Sequence, residues 1–144
     1  MPELIIKKED YQKILDYCRE HKPVEACGII AGIIDQEAEK YFSTKIYLME
    51  NSKNSPEHYL MKPEEQFDVF KDIRENELEL LSVFHSHPHS PARLSAEDIE
   101  MANYKDAIYL IISLQNKKED FRAYFIKDEE PEEIEVKVEL DITC

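Results

Sequence analysis

The strongest constraint on this chain is an apolar run, Leu80 to Phe84, that passes directly into His85-Ser86-His87-Pro88. The run reads as a buried strand, and Pro88, unable to donate to a sheet ladder, ends it. Side chains alternate along a strand, so His85 and His87 share one face, with Leu81 and Val83 before them on that side. Both imidazoles then stand at a strand end, beside a loop, where a metal or a substrate can reach them. After the loop Pro88 to Leu94, Ser95 reads as a helix N-cap with an acid three residues on, Asp98, and the apolar pattern continues through Ile99 and Ala102.

Two neutral imidazoles and one carboxylate are the ligand types of a catalytic zinc, which keeps its fourth position open for water. Taken singly, each piece has an ordinary explanation. A buried His is usually a hydrogen-bonded core residue, Ser95 with Asp98 is a plain helix cap, and His-x-His pairs recur in many soluble domains. The combined string is what points to a metal, with two ligands fixed on a strand and a third delivered by the next helix. Ser86, between the two histidines, faces the other way and takes a packing or hydrogen-bonding role. His89, in the loop, is a weaker alternative ligand.

With 144 residues the chain is long enough for one domain, 1–144, with a real core. Hydrophobic content is 42% and charged content 35%, a globular balance. The formal net charge of −14 argues against nucleic acid and against anionic membranes as partners. The amino terminus has no apolar core or cleavage site of a signal peptide, and no run of about 18 apolar residues occurs. Cys18, Cys27 and Cys144 are odd in number and widely spread, forming neither a disulfide framework nor a Cys-x-x-Cys site. A reducing cytoplasm fits them.

In chain order, Leu4 to Ile6 is a short strand. Asp10 to His21 carries Tyr11, Ile14, Leu15 and Cys18 on one helical face, and Pro23 ends that helix. Val24 to Ile34 is an apolar strand containing one acid, Glu25. A buried carboxylate is costly unless paired or used, so the ordinary reading puts Glu25 at an exposed strand start. Cys27 shares Glu25's face, as a packed thiol or as lining of the same pocket. Gly28 and Gly32 permit close approach of another backbone. Lys40 to Met49 pairs back antiparallel, and Asn51 to Pro56 is turn chemistry. Tyr59-Leu60-Met61 is a short strand, with His58 in the loop before it. Pro63 starts a helix whose apolar stripe is Phe67, Phe70 and Ile73. Ala107 to Leu114 is a continuous apolar strand, central in its sheet, and Phe121 to Ile126 pairs back as a hairpin. Asp128 to Glu133 is an acidic break. Ile134, Val136, Val138 and Leu140 then alternate with charges as in an edge strand. The order β-α-β-β-β-α-β-α-β-β-β implies an α/β domain with a mixed, mostly antiparallel curved sheet flanked by helices.

His85-Ser86-His87-Pro88, six residues, Ser95, two residues, Asp98 resembles the signature of the JAMM (MPN-plus) zinc metallopeptidases. Pro23-Val24-Glu25-Ala26-Cys27-Gly28 resembles the upstream Pro-x-Glu-x-x-Gly segment of that family, and the likeness runs from about residue 3 to about residue 127. Compact prokaryotic members are most similar. One departure is Leu94, where many members carry Pro; it spares every ligand.

The resemblance implies a cytidine-deaminase-like fold and one Zn²⁺ per chain, held by His85, His87 and Asp98. It implies Glu25 as general base and then acid, and Ser95 as the hydroxyl that steadies the oxyanion. That hydroxyl is also asked to cap the helix, and it cannot fully serve both tasks. The residues from Asn51 to Met61 flank the site in the family. The implied partner is a ubiquitin-like or sulfur-carrier protein with a Gly-Gly tail, cleaved at an isopeptide or peptide bond after that tail. Release of cysteine from a sulfur carrier is the alternative reaction, and a non-catalytic MPN scaffold is a further one. Silent members typically lose the ligand string, which is intact here. A zinc deaminase would need His-x-Glu and Pro-Cys-x-x-Cys, which the chain lacks.

Overall fold

A computed structural model describes residues 1–139, so Leu140 and Cys144 lie outside the described residues. The elements are β1 (Glu3–Lys7), α1 (Lys8–His21), β2 (Cys27–Asp35), β3 (Lys40–Met49), α2 (Pro63–Glu75), β4 (Glu79–His87), α3 (Ala96–Glu100), β5 (Ile108–Ser113), β6 (Asp120–Lys127) and β7 (Glu130–Glu139). The predicted strand at Tyr59–Met61 is absent. That segment is held instead by the Asn51 side chain, which accepts from Leu60 N–H within it and donates to His58 O just before it.

The expected curved sheet closes completely. Seven strands form a barrel in the order β1-β3-β2-β4-β5-β6-β7, with β7 parallel to β1. The pairing is mixed and mostly antiparallel, as expected. The parallel pairs are β1 with β3, β1 with β7, and β4 with β5. The predicted edge strand, β7, therefore has neighbours on both sides. Its start also reaches back into the expected acidic break: Glu130 pairs with Lys127 across a turn in which Asp128 and Glu129 both have positive φ. Two left-handed residues make the tight hairpin whose twist matches its strands.

Closure needs strong coiling, which β-bulges supply. The β2–β4 register shifts between Ile30 and Ala31, where Ser82 and Leu80 are the successive partners and Leu81 is the extra residue. Alternation breaks there. Leu81 turns into the main cluster with Phe84 and Ile30, while Val83 faces α2 and the His85 side. The expectation that Leu81 and Val83 share a face fails for this reason.

Two apolar layers result. Strand residues such as Leu4, Ile6, Ile30, Leu110 and Ile112 meet Tyr11, Ile14, Leu15 and Cys18 of α1. On the other face, Ile29, Met49, Val83 and Tyr109 meet Val69 and Ile73 of α2. The stripe predicted for α2 is rotated: Phe67 is 68% exposed, and Val69 takes the buried position. Gly28 and Gly32 have the reason expected of them. A Cβ on Gly28 would sit 2.3 Å from both the Phe84 ring and the Tyr47 carbonyl, and one on Gly32 would sit 1.9 Å from the Phe42 carbonyl.

Candidate metal centre

The site lies where β2 and β4 meet the loop to α3. Cys27 pairs with His85 in antiparallel register. The pairing continues past the end of β2, because Ala26 O accepts from Ser86 N–H at 2.9 Å and Ala26 N–H donates to Ser86 Oγ at 2.8 Å. Continued one step, this register brings Glu25 beside His87, whose charge acts on it, while the Glu25 N–H leaves the ladder to donate to Ser55 O at 2.9 Å. Residues directly opposite in an antiparallel pair project to the same face. Ser86 thus ties the Glu25 segment to the histidine strand, the hydrogen-bonding role expected of it.

His85 and His87 are buried at the end of β4, which stops before Pro88. Asp98 arrives through a capping box. Ser95 Oγ accepts from Asp98 N–H at 3.0 Å, and Asp98 Oδ2 accepts from Ser95 N–H at 2.9 Å. Helix α3 is shorter than the sequence pattern suggested, ending at Glu100, with Ala102 beyond it still packed in the second layer.

Three ligand atoms converge. His85 Nε2 lies 3.1 Å from His87 Nε2, and Asp98 Oδ2 lies 3.3 Å and 3.2 Å from them respectively. Four tetrahedral ligands at zinc's usual reach of 2.0–2.1 Å stand about 3.3 Å from one another, so this triangle has the dimensions of one face of such a tetrahedron. His87 Nδ1 donates to Pro91 O at 2.8 Å, which leaves Nε2 as the unprotonated nitrogen of the neutral ring. An outer hydrogen bond of this kind orients metal-binding imidazoles. Buried His85 Nδ1 has no partner among the described residues, and the Tyr59 ring stacks on His85 with centroids 4.6 Å apart. The donor set, its spacing and the fixed tautomer fit a divalent cation.

Charge at the site is strongly structured. Burial drives His85 below the ordinary imidazole value, against the pull of Asp98. Burial acts the same way on His87, but Asp98 and the Pro91 carbonyl outweigh it and raise that group. For Asp98, burial is overcome by the two histidines and the Ser95 N–H, which hold it well below the usual carboxylate range. Glu25 is 4% exposed, contrary to the ordinary reading of an acid at an open strand start, and its Oε1 has no hydrogen-bond partner among the described residues. Burial pushes its carboxyl up to about 8; His87 opposes the rise, and Asp98, Glu97 and Glu57 add to it.

A cavity of about 540 Å³ opens beside these groups, lined by Glu25, His87 and Ser95 together with Glu57, His58 and Glu97. His89 lies on its wall, away from the ligand triangle. Cys27 shares the face of Glu25 but not the cavity. Its thiol lies 3.7 Å from Glu50 O and 3.9 Å from Met49 O, and burial pushes it up to about 12.

Three contacts here escape sequence reasoning. Asn51 is a clamp: Nδ2 donates to Glu25 O at 3.0 Å and His58 O at 2.8 Å, while Oδ1 accepts from Lys53 N–H and Leu60 N–H. His58 pairs with Glu97 across the mouth of the cavity. Tyr59 covers His85. The turn-rich composition of 51–56 announces a loop but not what the loop holds.

Comparisons with known proteins point to one family. Residues 7–127 match the family described as prokaryotic homologs of the JAB domain. A "CysO-cysteine peptidase" of Mycobacterium tuberculosis is 27% identical over 127 residues, covering 87% of this chain and 84% of the relative. A "Desampylase" of Haloferax volcanii is 32% identical over 105 residues, covering 69% of this chain and 73% of the relative. Among solved structures, a Desulfitobacterium hafniense protein superposes with a TM-score of 0.85 at 36% identity, over 97% of each chain. A JAB1/MPN domain protein from Archaeoglobus fulgidus shares the fold, with a TM-score of 0.62 at 15% identity over 95% of this chain and 98% of its own.

Proposed function

The chain belongs to the prokaryotic JAB-domain branch of the JAMM/MPN family, and on that premise we propose that it is a zinc-dependent hydrolase. Its substrate is the amide bond after the C-terminal Gly-Gly of a ubiquitin-like protein. The observation that carries this reading is the meeting of His85 Nε2, His87 Nε2 and Asp98 Oδ2 beside a cavity that also takes in Glu25 and Ser95.

His85, His87 and Asp98 would hold the metal. Zinc bound there would supply Lewis acidity, to a carbonyl and to water at neutral pH. Glu25 is the proton carrier. It accepts a proton from the attacking water and delivers it to the departing amine nitrogen, so that the acid ends as it began. Its burial keeps it free of competing hydrogen bonds, and a neighbouring dication favours the ionised form that a base requires. Ser95 can serve two tasks after all. The helix cap uses a lone pair of Oγ, and the hydroxyl proton remains for the developing oxyanion. Tyr59 fixes the ring plane of His85, and Asn51 fixes the backbone of Glu25.

A second reading shares this chemistry: release of cysteine from a sulfur-carrier tail. The likeness to the mycobacterial peptidase over most of both chains favours keeping it. The test is zinc content and turnover together. Purified protein holds about one zinc per chain, chelation abolishes hydrolysis of a Gly-Gly conjugate, and Asp98→Ala loses the metal. Unchanged zinc in Asp98→Ala, or full activity after chelation, refutes the proposal.

A further inference from the structure

The cavity at the metal centre has a one-sided charge. Apart from Glu25, its wall carries the carboxylates of Glu57 and Glu97, and among its lining residues there is no lysine or arginine. Glu97 is held at the rim by His58, while Glu57 is exposed and makes no ion pair among the described residues. Both are near enough for their charge to be felt at Glu25. The buried, unpartnered Glu25 Oε1 marks this cavity as the place where a ligand's polar group is received. Whatever surrounds the scissile amide therefore sits in a negative field inside a protein already at −14.

The two candidate leaving groups differ in just this respect. An amine released as free cysteine has its own α-carboxylate one carbon away from the nitrogen. A lysine side chain in a protein leaves a nitrogen with no carboxylate near it. We infer that the Glu57 and Glu97 carboxylates make this cleft select amides whose leaving amine carries no adjacent carboxylate and is flanked by basic residues, a protein lysine rather than a free amino acid. The inference rests on the hydrolase reading above and decides between its two substrates.

Repulsion between unit charges across a partly wet cleft is modest, on the order of fivefold per carboxylate at low salt, and it shrinks as salt rises. The test uses one β-grasp protein with a Gly-Gly tail, joined in parallel to cysteine, to cysteine amide and to the side-chain amine of a lysine peptide. The first two adducts differ only in the charge of the carboxylate. We expect kcat/KM for the amide to exceed that for the free acid by about 25-fold at low salt, fivefold from each of Glu57 and Glu97. Glu57→Lys should bring that ratio close to one. Glu37→Lys in the β2–β3 turn, at the far end of β2, changes the net charge equally and should leave the ratio alone. Equal rates for acid and amide adducts, or a ratio that Glu57→Lys does not move, overturn the inference and leave the hydrolase reading standing. If none of the three adducts is cleaved by zinc-loaded protein, the hydrolase reading itself fails.

Discussion

Replacing Glu25 by Gln should stabilise the metal-free protein at neutral pH, and the size of the effect follows from burial. In the fold, the Glu25 carboxyl is pushed from an ordinary 4.5 to about 8, chiefly by loss of water. In the unfolded chain it returns to the ordinary value. Below pH 4.5 both states are protonated and the group contributes nothing to stability. Between 4.5 and about 8 the folded state binds the extra proton, so stability falls as pH rises across that window. Each pH unit is worth about 1.4 kcal/mol, so by pH 7 the metal-free wild type has lost about 3 kcal/mol through this one group. Gln has the shape of the protonated acid and does not ionise. Metal-free Glu25→Gln should match the wild type near pH 4.5 and exceed it at pH 7, by about 8 °C in melting temperature for a chain of this size. Thermal melts in chelator, from pH 4.5 to 8, read the difference directly. The rest of the protein titrates alike in both variants, so only the gap between the curves matters. Parallel curves would show that burial does not hold Glu25 as an uncharged acid in the metal-free protein. In zinc-loaded protein, the same variant should keep its metal and lose turnover.

Two further substitutions probe how the site is held. Gly28→Ala puts a Cβ 2.3 Å from the Phe84 ring and the Tyr47 carbonyl, and the carbonyl, being part of the β3 backbone, cannot move aside. A loss of about 3 kcal/mol is expected from such overpacking, read from the denaturation midpoint, and an unchanged midpoint would contradict the close approach. Asn51→Ala removes four hydrogen bonds between Glu25, His58 and the loop. It should cost about 2–3 kcal/mol and lower kcat while zinc content stays near one per chain. A variant that melts and turns over as the wild type does would show that the clamp is dispensable.

What could be read in the sequence follows from how far apart the interacting residues lie. His85, His87, Ser95 and Asp98 fall within one strand, one loop and one helix start, so strand alternation and the capping rule bring them together without knowledge of the rest of the chain. Glu25 is different. Its place beside His87 is set by pairing between segments some 60 residues apart in sequence, and local pattern alone would have left it exposed; only its likeness to a family segment singled it out. The misplaced features are likewise products of long-range structure. Leu81 faces the wrong way for simple alternation because a bulge in β4 supplies the coiling that closure requires. β7 reads as an edge strand because its outward residues are charged, yet β1 pairs alongside it and completes the barrel. Phe67 fits the α2 stripe by spacing, but the sheet beneath selects the neighbouring face through Val69 and Ile73. Asn51 reads locally only as a turn residue, and its bond to Glu25 O is defined only once β2 and β3 have paired. Barrel closure and the site therefore share one cause. The same β2–β4 ladder that is bulged to coil the sheet runs on through Ala26 and Ser86 to hold Glu25 beside His87.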